Sequence, residues 1–327
     1  MAAEILDIVL LLALPASGKS EVRRYMKHLS PEKRKKDFFM GPDVQLDDFP
    51  YVHLMRRIDD ELAALSKPRI YFAAPDRPFR DPLDWGTLTQ LLNEDFDYLT
   101  ARPSKEPESA SLHFFDRLDR ASRVVGAPAR MAELDHDARQ AIAGSIENEA
   151  RELWDERKPG QKIELKGRTL VIEFARGGPQ GSTMPLAAPF GYQYSLGILS
   201  KHILAKACIL YVWVTPEESR RKNENRTDPN NPGSILHHGV PIEVMLNDYG
   251  CDDMDWLEAN AERKGTVTVK AHNKTFHLPV ARFDNRVDKT SFLRAEAKKW
   301  KKEDVSAVHE GLKGALARLA GLPTAAV

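Results

Sequence analysis

Apolar residues fall along this chain in two kinds of block. In the first the run is unbroken: Ile8 to Leu12 near the start, and Cys208 to Val214, CILYVWV, further on. Such runs, short and rich in β-branched or aromatic residues, mark strands covered on both faces, as in a parallel sheet. Gly167 to Ala175 reads the same way around Leu170-Val171-Ile172, and a shorter strand is expected after Gly41, ending in Asp47 and Asp48. In the second kind the apolar residues recur every three or four positions. Val52 to Leu65, with Leu54, Ile58, Leu62 and Leu65, has this helical spacing. Helices are also expected over Ser20 to Leu29, from an Asp84 cap to about Leu92, and over Leu112 to Lys158 with a break at Gly126-Ala127-Pro128. Two more are expected over Tyr192 to Ala207 and Ser291 to Leu319, the latter with room for a break at Gly311 or Gly314. Arg69 to Ala73 has strand character. Thr266 to Val280 predicts two short strands around Asn273-Lys274, and Pro31 to Asp37, PEKRKKD, reads as a solvated loop.

Strands alternating with helices predict an α/β chain, with a mostly parallel sheet between two helical layers. The junction after the first strand carries the sharpest signal. Ala13-Leu14-Pro15-Ala16-Ser17-Gly18-Lys19-Ser20 fits the phosphate-binding loop, with Ala where the first glycine usually stands. Gly18 lets successive backbone N–H groups curl around a phosphate. Lys19 can reach the β- and γ-phosphates, the Ser20 hydroxyl can ligate Mg²⁺, and the helix that follows adds its positive N-terminal dipole. Ala13, Pro15, Ala16, Ser17, Gly18, Lys19 and Ser20 are therefore the candidate nucleotide-binding residues, with ATP and Mg²⁺ as the expected cofactors. The fold expected is a P-loop NTPase, a three-layer α/β/α core with a helical insertion. Residues 1–100 form the first part of the core, 101–166 the insertion, and 167–327 the second part.

Bulk properties narrow the partners. Lys plus Arg equals Asp plus Glu, at 48 each in 327 residues, so no global field draws in nucleic acid or an anionic membrane. Two cysteines, Cys208 and Cys251, cannot build a disulfide framework and point to a reduced, cytoplasmic setting. Glu4 and Asp7 give the N-terminal apolar run the wrong flanking charge for a signal peptide. A soluble enzyme, with a small-molecule phosphoryl acceptor as partner and room for a homo-oligomer, is the expectation.

Five stretches together resemble the P-loop kinases of small metabolites, especially the uridine kinase, phosphoribulokinase and pantothenate kinase group: ALPASGKS (13–20), LDDF (46–49), APDRPFRDPLDWGTLTQLL (74–92), LVIEFA (170–175) and VTPEESRRKNENR (214–226). The resemblance covers about two thirds of the chain. It departs at Ala13, at Ala74 where the group has a histidine, and in the segment from about Ala101 to Lys166. It implies that a strand-end aspartate, Asp47 or Asp48, takes the acceptor proton, with Asp47 favoured because it ends the strand. It implies that Glu173 lies near the metal and that Arg220, Arg221 and Arg226 belong to a lid near 215–235. Asp76 and Arg80 are weaker acceptor-site candidates. Each has a plainer reading: the aspartates as a helix cap, Glu173 as a strand end, the arginines as a solvated helix face.

The reading of the sequence is Mg²⁺·ATP-dependent phosphoryl transfer to a small hydroxyl- or phosphate-bearing metabolite. The rival is a nucleotide-dependent regulatory or protein-binding module in which residues 112–158 meet a partner. A guanine-nucleotide switch is disfavoured because Asn273-Lys274-Thr275-Phe276 lacks the base-reading aspartate, and a motor or AAA-type ATPase because no apolar-flanked acid pair follows the third strand. His237-His238 has no accompanying ligand spacing for a metal.

Overall fold

A computed structural model describes residues 5–101, 105–157, 163–226 and 239–321, with only the backbone of residue 226. The Arg226 side chain, the breaker at 228–233, His237-His238 and the far half of the expected lid lie outside the described residues. Among the described residues six strands form one sheet: β1 Ile8–Leu12, β2 Asp43–Asp47, β3 Thr169–Phe174, β4 Ala207–Trp213, β5 Thr266–Ala271 and β6 Lys274–Asp284. Their order is β2-β3-β1-β4-β6-β5, parallel throughout except for the antiparallel β5–β6 hairpin. That hairpin turns at His272 and Asn273, both at positive φ, one residue before the Asn273-Lys274 pair about which the two strands were expected.

Among the described residues twelve helices surround the sheet: α1 Lys19–His28, α2 Pro31–Phe38, α3 Phe49–Ala64, α4 Asp84–Thr100, α5 Ala110–Val125, α6 His136–Arg157, α7 Gly191–Gly197, α8 Lys201–Leu204, α9 Pro216–Arg226, α10 Ile242–Asn247, α11 Met254–Ala259 and α12 Lys302–Ala320. Alternate residues of β1 serve the two faces. Val9 and Leu11 pack with α1 and α12 through Val22, Tyr25, Leu312 and Leu316. Ile8, Leu10 and Leu12 pack with α4, α7 and α8 through Leu92, Phe96, Leu196 and Ile203. The architecture is α/β, compatible with three layers. Helices α5 and α6, the expected insertion, share a further cluster with α3 and α4 around Tyr51, Leu88, Phe115 and Ile142.

Several expectations need correcting. Pro31 to Asp37 is helix, not loop: the Ser30 hydroxyl accepts from Lys33 N at 3.2 Å, and Pro31 sits at the first helical position. Arg69 to Ala73 is not a strand, because the Asp59 carboxylate takes the N–H groups of Ile70, Tyr71 and Phe72 that a ladder would need. Asp84 opens α4 rather than capping it, and its carboxylate is held by Arg130 at 2.9 Å. The helix then runs past Leu92 to Thr100. The Tyr192 to Ala207 helix is split, since Asn93 binds Ile198 O and Ser200 N while the Ser200 hydroxyl caps α8. In the last segment α12 is preceded by two short 3-10 turns and runs unbroken through Gly311 and Gly314. Gly311 lets it close on β6: a Cβ there would stand 2.8 Å from the Phe283 ring.

Candidate functional site

The loop between β1 and α1 lies at the C-terminal edge of the parallel strands, where open α/β sheets carry ligands. Gly18 sits at φ 105° and Ala16 at φ 53°. Gly18 has a second reason to be glycine: a Cβ would collide with the Thr290 hydroxyl and lie 2.9 Å from Asn285 Nδ2. Asn285, just beyond β6, donates to Ser17 O at 2.6 Å and to Thr290 Oγ1 at 2.9 Å. From the other side Ser219 of α9 donates to Pro15 O at 2.7 Å. The loop is thus fixed by two distant elements before any ligand arrives. Lys19 folds back over it, its ammonium 3.2 Å from Ala13 O and 3.4 Å from Leu14 O. Ser17, 1% exposed, has a hydroxyl with no hydrogen-bond partner. A buried orphan hydroxyl in a curled backbone suits a hydrogen-bonding ligand.

The two aspartates after β2 diverge. Asp47 and Glu173 are neighbours in register on β2 and β3. Arg23 of α1 sits against both, at 3.2 Å from Asp47 Oδ2 and 2.6 Å from Glu173 Oε2, and it also contacts Gln45. Arg157, at the end of α6, takes the other Asp47 oxygen at 3.1 Å and the Asp47 carbonyl at 2.5 Å. Burial works against the charge of Arg23, yet Glu173 and Asp47 outweigh it and hold its pKa above the ordinary value. Asp48 turns to the opposite face. Its side chain does not cap α3 but meets Arg176 at 2.5 Å. Burial raises the Asp48 pKa; Arg176 opposes this, Asp47 adds to it, and Lys19 opposes it, with a net rise.

Arg176 carries no sequence signal of its own. It follows β3, is 1% exposed, and lies over the rings of Trp85 and Phe174. Its remaining N–H groups go to Ser195 Oγ, Thr89 Oγ1, Trp85 O and Ala175 O. The wall beside it is tightly clasped: a Cβ on Gly177 would stand 2.5 Å from Cys251 O. Tyr249 and Asp248 belong to this wall. Burial pushes Asp248 up to about 7, against the hydrogen bond from Trp85 and the charge of Arg56.

Of the expected lid, α9 is described as far as residue 226. Thr215 caps it, its hydroxyl accepting from Glu218 N at 3.2 Å. It is anchored by Ser219, by the Lys222–Asp288 ion pair at 2.8 Å, and by Asn223 on both backbone groups of Val240. Arg221 points outward, held by Glu218 of its own helix. Arg220 keeps one buried nitrogen without a hydrogen-bond partner. Asp76 sits beside Arg77 at 3.8 Å, and Arg80 spends itself on Arg69 O at 2.7 Å.

For a metal, Ser20 stands half-buried on the first turn of α1. Glu173 fits less well, because Arg23 already holds it. Among the described residues no group of three or more His, Cys, Asp or Glu is placed to bind an ion. A hollow of about 230 Å³ lined by Asp288, Lys289, Thr290 and Phe292 adjoins the loop at Gly18. A separate one of about 500 Å³ lies between α7, α11 and β5. Among the described residues no helix is long and apolar enough to cross a membrane. Comparison with family models, with curated proteins and with solved structures finds no match for this chain.

Proposed function

We propose that this chain is a P-loop phosphotransferase, moving the γ-phosphoryl group of Mg²⁺·ATP to a small hydroxyl- or phosphate-bearing metabolite. The observation that carries the reading is the loop after β1: Gly18 and Ala16 in left-handed conformations, Lys19 lying across the loop, and the orphan Ser17 hydroxyl, all at the sheet's C-terminal edge. Such a loop offers successive N–H groups and the Lys19 ammonium to a polyphosphate. When bound, Mg²⁺ would be held by the Ser20 hydroxyl together with the phosphates and would supply charge neutralisation. Lys19 would leave the carbonyls of Ala13 and Leu14 for the phosphate oxygens. Arg220, with its unpartnered nitrogen, is better suited than Arg221 to meet the charge that grows on the transferring group. A buried carboxylate beside the loop, Asp48, favours chemistry over nucleotide binding alone.

The test is transfer of labelled γ-phosphate from Mg²⁺·ATP to a defined pool of sugars, nucleosides and vitamin alcohols. Labelled product that depends on Lys19 supports the kinase. Nucleotide binding without transfer favours the regulatory module.

A further inference from the structure

We propose that the end of α1, the outer side of α2 and the turn leading into α12 together bind single-stranded nucleic acid, apart from the phosphate loop and from whatever that loop holds. The chain carries no net charge, but its charge is unevenly spread. Residues 27–36 and 295–303 hold nine Lys or Arg against three Glu, a net +6 with His neutral, so the other residues carry −6. A local excess of that size makes a field that the neutral total conceals. The two segments are distant in sequence and meet over one cluster of rings. His28 and Trp300 have ring centroids 4.8 Å apart, and Tyr25 lies 6.3 Å from both Phe38 and Trp300. His309 of α12 closes the cluster, bonded to Tyr25 at 2.9 Å and to Asp37 at 3.1 Å.

What these cations touch points to phosphate. Lys27, Lys33, Lys36, Lys299, Lys301 and Lys302 are all exposed, and among the described residues no ion pair holds any of them. Their neighbours are spent: Lys298 on Glu296 at 2.7 Å, Lys313 on Asp37 at 3.4 Å, and Arg34 turned inward to Asp43 at 2.6 Å. Free ammonium groups suit phosphates as point charges. With Arg34 spent, the contacts left are to the backbone of a polynucleotide and carry no sequence preference.

The rings favour a single strand. His28 is exposed, and Trp300 is half-buried with its indole N–H fixed on Ala295 O at 3.0 Å. An unpaired base can stack on this step while its phosphates meet the lysines, whereas a duplex keeps its bases inside. An anionic bilayer fits less well. Among the described residues the large apolar side chains that stand exposed belong to other segments, so this surface has no wedge to enter a bilayer. Lys27 stands eight residues along α1 from Lys19, about 12 Å at the helical rise, which leaves the loop free to be filled at the same time.

The experiment follows the fluorescence anisotropy of a labelled oligouridylate of about 15 nucleotides, titrated with protein between about 50 and 200 mM salt. Six lysines on phosphates give a slope of log K against log salt of up to about −4, about 0.7 for each contact. Lys27→Ala/Lys33→Ala and Lys299→Ala/Lys301→Ala, pairs of exposed side chains from the two segments, should each flatten the slope by about 1.4 and weaken binding by about tenfold or more at the lower salt. His28→Ala should weaken it by about fivefold or more with the slope unchanged, since a stacked base is lost and no phosphate contact. All three variants should unfold near the wild-type temperature, and Lys19→Ala should bind the oligomer as wild type does. No binding by wild type at about 100 μM protein and the lower salt overturns the proposal. Binding that both lysine pairs leave unchanged overturns it too. So does binding lost in Lys19→Ala, which would place the strand in the phosphate loop. Uptake by phosphatidylserine vesicles without binding of the oligomer, or salt-sensitive self-association in its place, would give the surface to a membrane or to a second copy and overturn it as well.

Discussion

Asp47 and Asp48 are adjacent in sequence and opposite in circumstance. Asp47, with Glu173, looks toward α1 and is bridged by Arg23, in a setting where about a fifth of both the Arg23 and the Asp47 side chains stays exposed, 21% each. Asp48 looks toward α4 and α7 and meets one arginine with 1% exposure. The first arrangement is a clamp: α1, β2, β3 and α6 are tied by charges that water still screens. The second is a fixed charge in a dry wall with one carboxylate oxygen left open. A strand end sends successive side chains to opposite faces, so a two-residue acidic motif supplies one group of each kind.

The comparison is broken or sharpened first at Arg176. Arg176→Met leaves the Asp48 carboxylate buried without its partner and should cost about 3–5 kcal/mol in denaturant unfolding. Adding Asp48→Asn should recover part of that loss. If Arg176→Met costs no more than a surface change, the wall is wetter than described.

At the clamp the same kind of deletion should cost less. Arg23→Ala sets Asp47 and Glu173 side by side with partial solvent access, and about 1–2 kcal/mol is expected, below the range for a sealed pair. Added salt should narrow the gap between Arg23→Ala and wild type and leave the Arg176→Met gap almost untouched. Equal salt responses would erase the distinction.

A further break concerns the wall's own acid. Asp248 has a folded pKa raised to about 7, above the ordinary carboxylate value, so between roughly pH 4 and 7 the folded state holds the proton more firmly than the unfolded chain. Its contribution is present at low pH and is lost as pH rises through about 7. Asp248→Asn removes that loss and should make the protein gain stability relative to wild type from pH 5 to pH 8, by about 1 kcal/mol or more. Parallel pH profiles for the two proteins would contradict the burial of that charge.

Much of the scaffold was legible because it is local. Unbroken apolar runs marked β1, β3 and β4, and the glycine-lysine-serine turn marked the loop. Thr215-Pro216 at the start of α9 and Ser30-Pro31 at the start of α2 carry the same cap-and-proline signature. Lys, Arg and Glu are good helix formers, so a charged run flanked by a cap is helix when one residue of it, here Phe38, reaches the core. Arg69 to Ala73 failed for a different reason: Asp59, ten residues upstream of Arg69, takes the backbone donors, and no periodicity reports that. The arginines of the site were the least legible. Arg23 meets Glu173, Arg157 meets Asp47 and Arg176 meets Asp48 across separations of 150, 110 and 128 residues. Only the sheet order brings them together.

The central claim is that the loop from Ala13 to Ser20 binds a nucleoside triphosphate. Thermal unfolding of wild type and Lys19→Ala, with and without millimolar Mg²⁺·ATP, tests it most directly. A ligand that binds only the folded state adds RT ln(1 + [L]/Kd), about 2.7 kcal/mol at a hundredfold excess over Kd. Wild type should rise by several degrees. Lys19→Ala should unfold near the wild-type temperature in the absence of nucleotide and lose most of the rise. No rise for wild type with any nucleoside triphosphate, or an equal rise in Lys19→Ala, would contradict the account.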